Sequence, residues 1–298
     1  MPAWRCPITK VLLPLDRTPE SLECVNLLSH LLKRPRLRGG VEEVTLLYVL
    51  KMEMHPEYRV SKAKEVLETE TFKEIKRLFI EKEIQPLLDQ AANSLTKTGY
   101  AKGRVTEKLR EGPVANEITK EVVDGGYDTI FLKGGKHDLK EKLLATVTDT
   151  VVHSLQGVSF YVGGISPRRK EVFSRILIPV DGSKPSRKAV KHAALLAKAL
   201  GDEVKKITLL HVVIPRAKPE AVFKEAQGIL EKQGIKKEII EEKLGQGDAA
   251  EEIIAMTKEH RAVVMGKRGM TKLQDLFLGS VSRKVLHSIQ DRVLILVS

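Results

Sequence analysis

The stretch KVLLPLDRTPESLECVNLLSHLL at residues 10–32 returns as RILIPVDGSKPSRKAVKHAALLA at residues 175–197. In this alignment Asp16 falls on Asp181, and later segments of the two halves continue to match in the same order. A match of this kind indicates an internal repeat, which predicts two copies of one structural unit. The chain has 298 residues, a length that suits two domains of about 150 residues each.

The repeat also sets the expected domain boundaries. We predict a first domain over residues 1–163, a linker over 164–174 and a second domain over 175–298. The linker contains a proline and a basic cluster, which is typical of a solvated connector. The cluster consists of Arg168, Arg169 and Lys170. The first repeat carries an insertion, Glu53 to Gly99, that predicts one or two long charged helices. Their expected apolar contacts are Leu78, Ile80, Leu87 and Leu88.

Each repeat alternates apolar strands with amphipathic helices. In the second half we predict strands at 175–180, 206–213, 238–244, 262–266 and 293–297. Continuous β-branched runs are typical of strands buried on both faces, and therefore of a parallel sheet flanked by helices. Right-handed crossovers then give two tandem, doubly wound α/β domains. In such domains the ligand crevice lies beyond the carboxyl ends of the strands.

The composition excludes several classes of protein. No window approaches the roughly 18 uncharged apolar residues of a membrane-spanning helix, and the start of the chain lacks a signal-type apolar stretch. The two cysteines give neither a disulfide framework nor a zinc-ligand spacing. We therefore expect a cytoplasmic protein without a membrane partner. The net charge of +12 would attract nucleic acid, but interleaved charges and an aromatic content of only 4% make that partner unfavoured.

The segment after the fourth strand of the second half carries the strongest functional signal. Gly266, Gly269, Gly279 and Ser280 have the spacing G-x2-G-x9-G-S, and a helix is predicted to begin at Ser280. Glycines let bare backbone N–H groups approach a phosphate, a helix N-terminus adds unpaired donors, and Ser280 and Ser282 would add hydroxyls. Alternatively, the glycines only close two tight turns while Ser280 caps the helix. The pattern is neither a P-loop nor a Rossmann glycine motif.

This constellation resembles the universal stress protein family. In that family an Asp after strand one, a Val after strand two and G-x2-G-x9-G-(S/T) mark the ATP-binding members. The resemblance covers nearly the whole chain, with the strings ILIPVDGS, LLHV and GSVSRKVL as its closest matches. It implies five-stranded sheets of strand order 3-2-1-4-5 in each domain. It also implies an intramolecular pseudo-dimer joined through residues 158–162 and 293–297, and it allows a homodimer of such chains.

The same resemblance implies a ligand and roles for individual residues. The ligand would be ATP, or ADP or AMP, in the second domain, with Mg²⁺ as a potential companion. Asp181 and the Val212 backbone would contact the adenine end, and Lys267 and Arg268 could add charge beside the phosphates. The glycines and the start of the following helix would surround ribose and phosphates. The predicted site residues are Pro179, Asp181, Val212, Met265, Gly266, Lys267, Arg268, Gly269, Gly279, Ser280, Val281 and Ser282.

The first repeat departs from this pattern. Leu132 stands where the second repeat has Gly266, and Ala145 stands where it has Gly279. Side chains at these positions would block close backbone approach or a positive φ angle. We therefore predict that the first repeat binds ATP poorly, although the turn at residues 133–136 could hold a different anion.

No catalytic set accompanies the glycine motif. No second carboxylate is patterned near Asp181, and no Ser-His-Asp grouping can be assigned from spacing. We expect a nucleotide-binding regulatory or stress-response protein. The alternatives are a slow ATPase or nucleotidyl-transfer enzyme, and a nucleotide-free module that binds a partner. His153 and His287 occupy equivalent helix positions, which predicts packing or capping, and His211 is expected to be a satisfied polar residue at a strand end.

Overall fold

The computed structural model describes residues 6–51, 70–134, 147–164, 171–213, 218–269, 278–288 and 291–298. The first half contains β1 (Lys10–Leu15), α1 (Pro19–Leu32), α2 (Pro35–Gly40), β2 (Glu43–Leu50), α3 (Glu70–Phe79), α4 (Gln85–Thr96), β3 (Val105–Glu111), α5 (Val114–Gly125), β4 (Thr129–Leu132), α6 (Val147–Ser154) and β5 (Ser159–Val162). The second half contains β6 (Arg175–Pro179), α7 (Lys184–Leu200), β7 (Lys206–Val212), α8 (Pro219–Lys232), β8 (Ile240–Gly245), α9 (Ala249–Met256), β9 (Ala262–Gly266), α10 (Ser280–Ser288) and β10 (Val293–Val297).

The ten strands of the described residues form one continuous sheet in the order β3-β2-β1-β4-β5-β10-β9-β6-β7-β8. Pairing within each half is parallel, and each half has the order 3-2-1-4-5 that the family resemblance implied. The strands β5 and β10 pair in antiparallel fashion at the centre. The predicted intramolecular pseudo-dimer is therefore confirmed, and each half covers the exposed sheet edge of the other.

Helices cover both faces of the sheet, as a doubly wound fold requires. The apolar stripes of α1, α4, α7 and α8 pack against one core cluster, and those of α5, α6, α9 and α10 pack against a second. Successive side chains of the buried strands alternate between these two cores because a strand has a period of two. Within the described residues, no helix combines the length and the hydropathy needed to cross a bilayer.

A buried tyrosine beside the central strand pair contacts side chains of both halves. Tyr161 on β5 lies opposite Ile295 on β10, is fully buried, and stacks on Phe131 with ring centroids 4.6 Å apart. Its hydroxyl hydrogen-bonds to Nε2 of His192 on α7 at 2.8 Å. Burial lowers the pKa of His192 to about 4, so the imidazole is neutral around pH 7.

Acidification is expected to weaken the fold through His192. The unfolded chain binds a proton on this histidine near pH 6.5, whereas the folded chain resists protonation down to about pH 4. The unfolding free energy is therefore unaffected by this group above pH 6.5. It decreases as the pH drops towards 4, by up to about 3 kcal/mol. The variant His192→Gln keeps a hydrogen-bonding group but does not titrate, so it should lose less stability between pH 7 and pH 4.5 in urea unfolding. Equal losses in both proteins would contradict this assignment.

The predicted linker is not wholly a solvated connector. Val172 and Phe173 are buried in the first core cluster. Gly163 has φ +100°, and a Cβ there would lie 2.3 Å from the Arg292 carbonyl oxygen, so the chain leaves the first half in tight contact with β10. The basic cluster Arg168, Arg169 and Lys170 lies outside the described residues. The boundaries after 163 and before 175 stay a prediction.

The described part of the insertion is one continuous helical rod rather than separate helices. A π-helical turn, Ile80–Ile84, joins α3 directly to α4. Leu88 is buried and Ile80 and Leu87 are partly buried, but Leu78 is 37% exposed, so its predicted apolar contact is wrong. The π turn adds a residue to the helical repeat and so changes which side chains face the core. The inward positions that the sequence analysis missed are Ile84, Ala91 and Leu95.

Candidate functional site

A cavity of about 270 Å³ lies at the carboxyl ends of β6, β7 and β9. Its size is close to the lower end of the range for small-molecule sites, about 300–1,000 Å³. The described lining residues are Pro179, Val180, Asp181, Ser186, Leu210, Val212, Ala249, Ile253, Met265, Gly266, Arg268, Gly269, Gly279, Ser280, Val281 and Ser282. Every predicted site residue except Lys267 therefore lines one cavity.

The turn between β6 and α7 fixes the carboxylate of Asp181 at the cavity. One oxygen, Oδ1, accepts a hydrogen bond from the Ser183 N–H at 2.9 Å, as is common for an Asp in a turn. Ser183 in turn caps α7 by accepting from the Ser186 N–H at 3.2 Å. The Asp181 N–H points to the Ser186 hydroxyl at 3.3 Å. These contacts hold the carboxylate in place while leaving Oδ2 on the side of the glycine loop.

The glycines of the motif are needed for close approach and not for an unusual backbone angle. A Cβ on Gly266 would lie 2.9 Å from the carbonyl oxygen of Arg268, and a Cβ on Gly269 would lie 2.9 Å from Oδ2 of Asp181. At Gly279 a Cβ would be 3.4 Å from the Arg268 Cα atom. None of these glycines has a positive φ. A methyl group added at position 269 would collide with the Asp181 carboxylate. The absence of a side chain at Gly269 therefore lets the glycine segment lie against the turn that carries Asp181.

Several donors expected to face a phosphate are already occupied, which corrects the prediction of bare loop amides. The Lys267 N–H donates to the Val297 carbonyl at 2.8 Å, and the Gly279 N–H donates to the Lys267 carbonyl at 3.0 Å. The Ser282 hydroxyl donates to the Gly266 carbonyl at 3.0 Å. These bonds shape the loop instead of facing the cavity.

The start of α10 supplies further donors. Its first N–H groups, those of Ser280, Val281 and Ser282, have no acceptor among the described residues, as expected for the first turn of a helix. The helix dipole adds a favourable potential for an anion at this end. Together with the side chain of Arg268, this turn gives the cavity one positively polarised wall.

Lys267 does not face the cavity, contrary to the prediction. Its side chain is buried at the junction of the two halves, where the ammonium donates to the Leu155 carbonyl oxygen and lies 5.0 Å from the centroid of the Phe160 ring. Burial lowers the pKa of this lysine to about 8. The direction of the side chain follows from the backbone, because the hydrogen bond from the Lys267 N–H to the Val297 carbonyl turns this residue towards β10 and the first half.

Comparison with known proteins identifies the family. The sequence profile of the universal stress protein family matches residues 173–296. The universal stress protein YxiE of Bacillus subtilis is 32% identical over 139 residues, which are 38% of this chain and 92% of YxiE. The chain belongs to the universal stress protein family.

Other relatives extend this likeness to the whole chain. A universal stress protein of Methanocaldococcus jannaschii is 27% identical over 163 residues, 48% of this chain and 94% of that protein. The crystal structure of a universal stress protein from Archaeoglobus fulgidus superposes with a TM-score of 0.71 at 20% identity, covering 97% of this chain and 96% of the other. A structure from Pseudomonas aeruginosa gives 0.60 at 15% identity, covering 97% and 93%. At these identities the structures establish the fold alone.

Sequence reasoning missed part of the cavity of this universal stress protein. Leu210 lies two positions before Val212 and therefore on the same face of β7, a signal that strand periodicity offered. Ala249 and Ile253 are four residues apart on α9, which packs over that face. They reach the cavity because α9 packs beside β7, a tertiary contact that residue spacing does not indicate. The other missed lining residues are Val180 and Ser186.

The corresponding region of the first universal stress repeat is filled by its own side chains. Leu132 is buried at the position equivalent to Gly266. The ammonium of Lys133 pairs with Asp16 and hydrogen-bonds to the Thr18 hydroxyl at 3.3 Å. Burial raises the pKa of Asp16, but the hydrogen bonds from Lys133 and Thr18 outweigh it and hold that pKa below its ordinary value. Residues 135 and 136 of the suggested anion-binding turn, and Ala145, lie outside the described residues.

The histidines of this universal stress protein depart from simple packing roles. His211 directs Nδ1 to the Val180 carbonyl oxygen at 2.7 Å, but its buried Nε2 has no hydrogen-bond partner in the described structure, so it is only half satisfied. His287 Nε2 lies 3.4 Å from Oδ1 of Asp149 on α6, which is a contact between the two halves. Among the described residues, no three His, Cys, Asp or Glu side chains are grouped to hold a metal ion.

Proposed function

We propose that the second repeat binds an adenine nucleotide (ATP, ADP or AMP) as the regulatory ligand of a stress-response protein. The observation that carries this proposal is the convergence of separate sequence motifs on one cavity. Asp181 after β6, Val212 at the end of β7 and the glycine segment after β9 all line it. Because these motifs are far apart in the chain, a shared cavity supports a shared ligand.

The chemistry of the cavity matches the parts of such a ligand. Leu210, Val212 and Ile253 offer an apolar surface to a purine ring, and the carboxylate of Asp181 can accept a hydrogen bond from an amino or hydroxyl group. The first turn of α10 and the guanidinium of Arg268 suit phosphate oxygens. Mg²⁺ would enter with the phosphates as their counter-ion.

Thermal unfolding with and without millimolar ATP tests the proposal. A ligand that binds the folded state and is present at about 100 times its Kd adds roughly 2.7 kcal/mol of stability. We expect a shift of this order with at least one of ATP, ADP and AMP. The absence of a shift with all of them would overturn the proposal and favour a nucleotide-free module that binds a partner. Mass spectrometry of the small molecules released on denaturation identifies the nucleotide retained during purification.

Phosphate release, rather than nucleotide binding, distinguishes the enzymatic alternative from a regulatory binder. A regulatory binder retains intact nucleotide, whereas a slow ATPase releases phosphate from Mg-ATP. No histidine is present in the described lining of the cavity to act as a general base. We therefore expect phosphate release to stay at the level of a buffer control while ATP remains bound.

The nucleotide stoichiometry is expected to be one per chain. In the first repeat Leu132 fills the position of Gly266 and Lys133 neutralises Asp16, so two separate obstacles must be removed to open a site. We therefore expect one nucleotide per chain in calorimetric titration of the wild type, of Lys133→Ala and of Leu132→Gly. A stoichiometry of two in either single variant would show that one obstacle alone closes the first repeat.

A further inference from the structure

A second cleft, about 440 Å³ in volume, opens between α6 of the first half and α10 of the second half. His153 reaches it from α6, and Arg283 and His287 reach it from α10. Ser280 lines both this cleft and the cavity described above, so the two spaces adjoin at the start of α10. The cleft exists only because the halves pair through β5 and β10.

The basic residues of α10 form one stripe along the helix. Ser280, Arg283, Lys284 and His287 follow each other at i, i+3, i+4 and i+7, which places them on the same face. This face is turned towards His153 across the cleft. The stripe therefore runs from the donor-rich end of α10 to the junction of the two halves.

Existing ion pairs leave Arg283 available to a ligand. Lys284 is bound by Asp248 at 3.2 Å and by Glu251 at 3.0 Å, and Asp149 lies against His287. Arg283 is exposed, and within the described ranges no carboxylate pairs with it. An arginine fork of this kind is suited to bidentate binding of phosphate oxygens.

The charged groups that act on His153 are mostly cationic. Burial lowers the pKa of His153, and the charges of Arg283, Lys267 and His287 lower it further, while Asp149 opposes them. The carboxylate of Asp149 thus does not balance the surrounding positive charge. An anion placed between Arg283 and His153 would neutralise this repulsion and favour protonation of the imidazole.

We propose that this cleft binds a phosphate-type anion between the two halves, with Arg283 as its main contact and the imidazoles of His153 and His287 beside it. The anion could be free phosphate or pyrophosphate, or the terminal phosphate of a nucleotide whose other end occupies the adjoining cavity. Only the second source rests on the proposed function. In either case the anion would touch both repeats at once.

The first experiment titrates the full chain with sodium pyrophosphate in a calorimeter at pH 6.5. We expect saturable binding in the wild type and about tenfold or greater weakening in Arg283→Gln, because hydrogen bonds to a charged group are lost. Arg283→Lys keeps the charge without the fork and should retain part of the affinity. The matched control is Lys191→Gln, which removes an exposed cation from α7 on the opposite face of the sheet. Thermal unfolding without ligand checks that the variants fold.

The second arm compares ATP with AMP in the same proteins. If the anion is the terminal phosphate of a nucleotide, Arg283→Gln weakens ATP about tenfold and leaves AMP unchanged. If neither nucleotide binds the wild type, the proposed function fails while the pyrophosphate result still decides this inference. The inference is overturned if pyrophosphate gives no saturable heat and the ratio of ATP to AMP affinity is the same in Arg283→Gln as in the wild type.

Proton uptake gives a readout that a merely structural arginine would not change. The charged and titratable groups facing His153 are Asp149, Lys267, Arg283 and His287, and the ion-paired Lys284 lines the same cleft. Bound pyrophosphate should raise the pKa of His153, followed by the NMR signal of its ring protons. At the pyrophosphate concentration that half-saturates the wild type, the pKa of His153 in Arg283→Gln should move much less. A His153 pKa that does not respond to saturating pyrophosphate in the wild type would contradict the proposed position of the anion.

Discussion

Gly279→Val is expected to abolish the thermal stabilisation by ATP, a loss of about 2.7 kcal/mol at 100 times the wild-type Kd. A Cβ at Gly279 would already lie 3.4 Å from the Cα atom of Arg268 and 3.6 Å from the Gly269 nitrogen. The two extra methyl groups of valine must therefore displace the loop that carries Arg268 into the cavity. The measurement is the shift in thermal unfolding temperature between zero and millimolar ATP.

A matched glycine separates loss of binding from general damage. Gly228 lies on α8, on the opposite face of the sheet, and a Cβ there meets nothing within 4 Å. Gly228→Val should keep the full shift with ATP. If Gly279→Val also keeps it, the glycine loop does not form the phosphate end of the site, and the assignment of the cavity fails.

Tyr161→Ala is expected to cost about 3–5 kcal/mol of unfolding free energy, as large aromatic truncations in a core do. Tyr161 is fully buried, stacks on Phe131 and bonds to His192 of the other half, so its removal leaves a void at the junction. The loss is measured by urea unfolding followed by circular dichroism. Because the side chain touches both halves, hydrogen exchange should accelerate in β4 of the first and in β10 of the second.

Two further variants resolve the origin of that loss. Tyr161→Phe keeps the ring but leaves Nε2 of His192 without its partner, so it should cost about 1–3 kcal/mol. Leu109→Ala changes a side chain that is 41% exposed on the outer strand β3, and should cost much less. Faster exchange confined to β4 in Tyr161→Ala would show that the two halves are not stabilised through this contact.

The repeat was the most informative feature of the sequence because it fixed several properties together. Matching Asp16 with Asp181 gave two similar units, and the buried strand runs gave a parallel sheet in each. The lining of the cavity was predictable where residues follow directly after a strand, as at Asp181 and Gly266. The lining was missed where a helix from another part of the chain packs over the cavity, as at Ile253 on α9.

The predictions that failed depend on where side chains and backbone N–H groups point, which a sequence does not show. Lys267 stands between two motif glycines, yet its N–H bonds to Val297 and its side chain enters the junction instead of the cavity. Gly279 was expected to present a bare amide, but the Lys267 carbonyl accepts from it. Hydrogen bonds within a loop are set by the folded backbone, so residue type and spacing cannot show which donors stay free.

The amino-acid sequence by itself determined the family, the two-unit architecture, the strand order and the position of a candidate site. The two units and the position of the site depend on hydrophobic period and on residues local to strand ends, which are readable along the chain, whereas the family and the strand order are what the resemblance of the motifs implied. Only the tertiary structure decided that the Lys133 ammonium pairs with Asp16 in the first repeat. It also decided that Arg283 and His153 line the same cleft between the two halves. Such contacts join residues of distant segments, and their distances arise when the sheet edges of β5 and β10 meet.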